Sequence, residues 1–198
     1  MYADRLFNAL ERNNIGPGQL LVAAPGMEDP FFRRSVLLML ECDSETSFAV
    51  ALTMRSETAV FNVIPHWIPI VAKPQALYIG GPMNQQSVIG LAHVKTGVDI
   101  NAHPQLNRLG PRLAHVDMRA DPTELAELVD GVRLFAGYVE WRTSDLIDEI
   151  FSGDWYVTPA LPSDVVVSGT IDLWGDVMRR QPMPLPMFST YPADPTTN

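Results

Sequence analysis

The sequence predicts an α+β fold, and three observations carry that prediction. Strand-like segments follow one another without helices between them, which disfavours a doubly wound parallel sheet. The first two of these segments are apolar throughout rather than alternating, as strands covered on both faces are. Strands and helices are interleaved, but not in strict alternation. A chain of 198 residues fits one domain and can bury a core without disulfides or metals.

Leu6, Phe7 and Leu10 share one helical face, so residues 3–12 are expected to form a short helix, ended by Gly16-Pro17-Gly18. Residues 19–24 and 35–41 are the two apolar strands, joined by Pro25-Gly26 and the acidic turn Asp29-Pro30. A polar turn leads to a third strand over residues 48–54. Ser56 and Glu57 suit the start of a short helix that Pro65 stops. Prolines 65, 69 and 74 keep the next stretch irregular. Strands are expected over residues 76–79 and 87–94, a polar mobile loop over 96–110, and a strand over 112–118.

Asp121-Pro122-Thr123-Glu124 is the clearest helix start: an aspartate cap, proline at the first helical position and a glutamate that can reach back. Leu125, Leu128, Val129 and Val132 supply its apolar stripe. A strand over residues 134–141 and a helix over 144–151 ended by Gly153 come next. Short strands over 155–158 and 165–167 and a last helix over 172–180 complete the pattern. Prolines 182, 184, 186, 192 and 195 favour an extended tail without its own core. The expected organisation is one domain over residues 1–181 and a proline-rich tail over 182–198.

Composition narrows the function. The net charge is −9, with two lysines, Lys73 and Lys95, against twelve arginines. Phosphate-driven nucleic-acid binding needs a positive face. Only the pairs Arg33-Arg34 and Arg179-Arg180 offer local concentration, so the overall field opposes direct contact with nucleic acid. No apolar run approaches the ~20 residues of a membrane span, and no basic-then-apolar leader opens the chain. A cytoplasmic protein that does not enter the membrane is expected. Cys42 is the one cysteine, so no intramolecular disulfide can form. Its neighbours Glu41 and Asp43 oppose a thiolate.

Nucleotide-binding glycine motifs, the G-x-S-x-G elbow and C-x-x-C are all missing, so no cofactor is indicated. His66, His93, His103 and His115 never pair at metal-ligand spacing, and no metal site is expected. The densest polar group is Asp29, Arg33, Arg34, Ser35 and Glu41. It could bind an anionic ligand or a partner, with an arginine as fork donor and Asp29 orienting it. The structural alternative has Asp29 capping its own turn while Phe31 and Phe32 anchor that turn in the core. This alternative is preferred, because Asp-Pro turns need no ligand to explain them.

Gly80-Gly81-Pro82 could expose two amides as an anion nest, or simply permit a tight strand exit. In Gly137-Tyr138-Val139-Glu140-Trp141, alternation sets Tyr138 and Glu140 opposite Val139 and Trp141. Trp141 and Trp155 suit the core beneath the helix over 144–151, which leaves Tyr138 as the reachable aromatic.

The stretch GQLLVAAPGMEDPFFRRSVLLMLE from Gly18, followed by Tyr78-Ile79-Gly80-Gly81-Pro82 and Gly137-Tyr138-Val139-Glu140-Trp141, resembles the YqgE/AlgH family of bacterial proteins over residues 19–167. The resemblance implies a branched mixed sheet with a small barrel-like part, surrounded by helices. It implies no settled activity, only a label of transcriptional regulator attached to the AlgH branch. The chain departs from the family pattern at Thr53 and Arg55, where an Asn-x-Pro is usual. It departs again at Glu140, usually glycine, and at Asp145 and Ile147, where Gln and Glu are usual. These departures argue against a shared catalytic mechanism.

The reading that follows is a non-catalytic regulatory or interaction protein that docks a protein or a small anionic ligand around Asp29, Arg33, Arg34, Ser35, Gly80, Gly81 and Tyr138. Two alternatives stand beside it: an enzyme with a convergent polar site acting on an anionic small molecule, and a transcriptional regulator acting through proteins rather than on DNA. Oligomeric state, ligand and partner are not encoded in these motifs. The three segments are expected to converge, with Arg33 or Arg34 reaching a shared cleft.

Overall fold

The computed structural model describes residues 14–167 and 171–191. The helix expected over residues 3–12 lies outside the described residues. Ten strands form one curled sheet, in the order β10-β1-β2-β3-β9-β6-β8-β7. They are β1 (Gln19–Ala23), β2 (Val36–Cys42), β3 (Thr46–Ala51), β4 (Arg55–Ala59), β5 (Ala76–Ile79), β6 (Met83–Val94), β7 (Leu106–Gly110), β8 (Leu113–Val116), β9 (Val129–Arg142) and β10 (Trp155–Pro159). Pairing along that path is antiparallel. The sheet branches at β9, whose Phe135 and Ala136 also pair in parallel with Tyr78 and Ile79 of β5, and β5 carries β4. Sheet dominates this mixed α+β architecture.

Both faces of the sheet are covered, as the unbroken apolar runs require. Leu20, Val22, Val36 and Leu38 point inside the curl with Leu91, Leu113 and Phe135 from the other half, forming a central core. Leu21, Ala23, Leu37 and Met39 point the other way, against Leu146 and Ile150 of α2 (Thr143–Ser152). A third core, around Trp67, Ala92, Ala114 and Val132, lies on the outer face of the second half. There it is covered by the 3-10 helices Val60–Asn62 and Pro65–Ile70 and by α1 (Pro122–Leu125). Burying one such aliphatic side chain contributes about 1.5–3 kcal/mol.

One end of the central core is plugged by α3 (Leu173–Arg179) and by the 3-10 helix Leu185–Thr190. The tail therefore differs from the extended segment expected. Its prolines are tolerated at the start of a 3-10 turn, and burial of Leu185 against α3 fixes that turn.

Several other segments also differ from expectation. Residues 56–64 are strand and 3-10 turn rather than helix: the Ser56 hydroxyl accepts from Thr58 N (3.1 Å) but also donates across to the Leu77 carbonyl (2.7 Å), which ties the segment to β5. The helix started by Asp121, whose carboxylate accepts from Thr123 N (2.9 Å), lasts one turn. Gly131 and the β-branched Val129 and Val132 then favour β9, which runs 14 residues. Residues 96–110 hold a 3-10 turn, Ile100–Ala102, and β7. Residues 162–165 form a 3-10 turn in place of the strand expected over 165–167, with the Asp164 carboxylate accepting from Leu161 N (2.8 Å). By contrast α2, closed by Gly153 at φ 86, and α3, capped by Asp172, follow their sequence signals. No helix among the described residues is long and apolar enough to cross a membrane.

A cleft between the two halves of the sheet

At the end away from α3 the curl does not fill itself. Pro17 and Gly18, just before β1, meet Leu109 and Gly110 of β7, closing the corner between the two halves. Beneath that corner is a cleft of about 360 Å³. Leu40 and Phe48 line it from the first half, and Ile89 and Leu109 from the second. Tyr138 of the shared strand β9 meets Phe48 edge-on, with ring centroids 5.5 Å apart. These walls are apolar.

The position of Tyr138 follows from the backbone. Strict alternation would give Phe135 and Tyr138 opposite faces, yet both pack on the central core. Gly137, at φ 73, shifts the alternation by one residue, and the β6–β9 register shifts with it between Met83 and Val88. Such a bulge re-aims a side chain at a sheet edge or a site. The glycine pair packs against this bulge: a Cβ on Gly80 would lie 2.3 Å from the Gly137 carbonyl oxygen, and one on Gly81 2.1 Å from that of Tyr138. Gly80 N donates to the Ala136 carbonyl and its own carbonyl accepts from Ala51 N. Gly80 and Gly81 are both buried, so the pair makes the branch of the sheet and no exposed anion nest.

Four polar side chains border the cleft: Glu41, Asn107, Arg108 and His115. Glu41 sits where the β2–β3 register shifts after Met39. Arg108 and Asn107 come from β7, and His115 from β8 on the facing half. Burial pushes the His115 imidazole below its ordinary value of 6.5, against the opposing pull of Glu41 and then Asp117. It therefore enters neutral solution mainly uncharged. Glu41 and Arg108 are exposed, and neither makes an ion pair or side-chain hydrogen bond among the described residues. No group of three His, Cys, Asp or Glu side chains among those residues is arranged to hold a metal ion.

Asp29, Arg33, Arg34 and Ser35 stand apart from this cleft. The Asp29 carboxylate accepts from Phe31 N (2.8 Å) and Phe32 N (3.2 Å), which caps its own turn. Phe32 then stacks on Trp141 and meets Trp155 edge-on, as the anchoring role requires. Arg34, at φ 53, lays its guanidinium 4.2 Å from the centroid of the Trp174 ring. It donates to the Asp172 carboxylate and to the Tyr191 carbonyl. Ser35 is buried, with no partner for its hydroxyl among the described residues. Arg33 is exposed in a depression of about 200 Å³ shared with Glu28, Arg34 and Tyr191. The structure thus brings Gly80 and Gly81 to Gly137 and Tyr138, while Arg33 and Arg34 reach a different depression. Of the polar group read from sequence, Glu41 alone lines the cleft with Tyr138.

Sequence reasoning missed Arg108 and His115. A signal was present: Gly110-Pro111 separates two short segments, residues 106–109 and 113–116, that read as a hairpin once paired. Treating 96–110 as loop hid β7, and with it the second wall of the cleft.

Comparison with known proteins agrees with this architecture. The AlgH-like family profile matches residues 20–186. A UPF0301 protein of Corynebacterium efficiens is 58% identical over 197 residues, covering 100% of this chain and 98% of that protein. One from Mycobacterium tuberculosis is 44% identical over 181 residues, covering 91% of this chain and 90% of its own length. The crystal structure of a Corynebacterium diphtheriae protein, 58% identical, superposes with a TM-score of 0.91 over 96% of this chain and 100% of its own. The solution structure of the AlgH protein from Pseudomonas aeruginosa, 19% identical, shares the fold at a TM-score of 0.64 over 90% of this chain and 96% of its own. With its curled, branched sheet and its match from the first strand to the tail, this chain belongs to the AlgH-like family.

Proposed function

We propose that this chain is a non-catalytic binding protein that takes a small molecule carrying negative charge in the cleft between the sheet halves and passes its occupancy to a protein partner. The observation that carries the reading is the cleft itself: apolar walls, few convergent polar groups and a volume at the low end of small-molecule sites. Arg108 supplies a cation without a competing carboxylate partner among the described residues. The net charge of −9 opposes duplex contact, so any regulatory role of the family would run through proteins here.

The test is native mass spectrometry of the full chain purified from its own host, followed by a thermal-shift panel of metabolites. A bound small molecule that is lost on Phe48→Ala or Tyr138→Ala is the expected result. A panel compound converted to product would favour the enzyme instead. No bound species and no shift across the panel would sink the reading.

A further inference from the structure

The cleft presents two opposite charges, one from each half of the sheet. Glu41 comes from β2 in the first half and Arg108 from β7 in the second, and Leu109, Ile89, Phe48 and Tyr138 line the same cleft. Within a folded protein, exposed acids and bases facing one cleft commonly pair with each other or with neighbours. Neither side chain pairs among the described residues, a state that the exposed Arg33, Arg55 and Arg142 share, so it is their joint place on one cleft that sets Glu41 and Arg108 apart. A ligand with one anionic group alone would satisfy Arg108 while leaving its charge in the field of Glu41. A ligand with one cationic group alone would have the reverse fault. Charge complementarity selects against both.

Building on the ligand-binding reading above, we infer that the cleft takes a zwitterion of amino-acid type with an apolar or aromatic side chain. Its carboxylate would be held by the Arg108 guanidinium and its ammonium by the Glu41 carboxylate. A guanidinium offers a carboxylate two parallel donors, and a carboxylate is the natural acceptor for an ammonium. The apolar body would lie on Ile89 and Leu109, against the Phe48–Tyr138 edge-to-face pair, which suits a ring or a branched aliphatic chain. His115, largely uncharged at neutral pH, can offer one donor and one acceptor at the floor without disturbing this charge balance.

Isothermal titration of the full chain with phenylalanine and leucine tests the inference, against N-acetylphenylalanine, 3-phenylpropionate and phenylalaninamide. The free amino acids are expected to bind about tenfold or more tightly than each analogue that lacks one charge, as charged hydrogen bonds of ordinary strength imply. Glu41→Gln should abolish the advantage over the two analogues lacking the ammonium, and Arg108→Gln the advantage over the amide. Both side chains are exposed, so unchanged melting temperatures would show that these variants fold. Equal binding of 3-phenylpropionate and phenylalanine would overturn the zwitterion while leaving a small-molecule site in place. Failure of all five compounds would also overturn it, and the metabolite panel would then decide whether the wider binding reading survives.

Discussion

A Cβ on Gly18 would stand 1.9 Å from the carbonyl oxygen of Leu109, so the two halves of the curled sheet close on each other through a contact only glycine permits. Gly18 is also at φ 80, and its N–H and carbonyl are both engaged, with Met39 O and Ala160 N. Gly18→Ala should cost roughly 2–5 kcal/mol, combining a left-handed penalty of about 1–2 with overpacking of about 1–3. Urea unfolding measures the loss. A variant as stable as the parent would mean that the corner opens freely and does not define the cleft.

Arg133 is fully buried, and its guanidinium donates to five carbonyls, those of Ala72, Lys73, Pro74, Val166 and Val167, at 2.7–3.2 Å. Its cationic carbon lies 4.5 Å from the Tyr78 ring centroid. The side chain ties two irregular segments to the middle of β9. Arg133→Met would remove all five hydrogen bonds at once, leaving only the Pro74 carbonyl a donor among the described residues, in Ala76 N, and a loss of roughly 3–5 kcal/mol is expected. Arg133→Lys should fall between, since an ammonium has three donors rather than five. Chemical denaturation of both variants checks the order.

Asp172 holds the C-terminal plug in two ways: it caps α3 through Gly175 N (3.1 Å) and pairs with Arg34. Asp172→Ala should destabilise by about 1–2 kcal/mol, about 1 from the lost cap and up to about 1 from a half-exposed ion pair. Hydrogen exchange should rise first in the backbone of residues 185–191. Protection there equal to that of the parent would show that core burial of Leu185 alone retains the plug.

Acid sensitivity should begin near neutrality. Burial lowers His115, and burial with the nearby Arg112 lowers His93, both from 6.5. The unfolded chain therefore binds protons at these sites before the folded one does. Their contribution is intact above about pH 6.5 and is lost as pH falls from there through the folded values. The urea midpoint should decline between pH 7 and 5.5, and His115→Gln should flatten part of that decline. Asp117, held at about 2 by the Arg119 guanidinium and backbone N–H, acts only in stronger acid. A midpoint that is level from pH 7 to 5.5 would refute the histidine assignment.

Legibility in the sequence followed the range of the interactions involved. β1 and β2 could be read because both faces are buried, and α2 and α3 because Gly153 and Asp172 mark their ends locally. The Asp29 turn was equally legible, since its cap reaches only two and three residues ahead. β9 was legible only from residue 134 onward: its Leu125–Val132 approach suits a helix stripe, and pairing with β6 decides otherwise. The cleft lay further from view still. Its groups are spread from Pro17 to Tyr138 and meet only because the sheet curls. Likewise Arg34 looked like a ligand donor until α3 and the tail supplied Trp174, Asp172 and Tyr191.

The dual membership of β9 bears on the order in which the protein can be made. This one strand supplies partners to β3 through residues 139–142 and to β6 through residues 129–138. Until residue 142 has left the ribosome, β3 lacks its neighbour on one side and the β6–β8–β7 hairpin system lacks its anchor. A nascent chain stalled before that point exposes two unpaired strand edges at once. Such edges recruit other chains. Synthesis through Arg142 is therefore the step at which two separate aggregation hazards are removed together. Ribosome-bound fragments in which residue 142 is still inside the exit tunnel and fragments in which it has emerged should differ sharply in protease resistance.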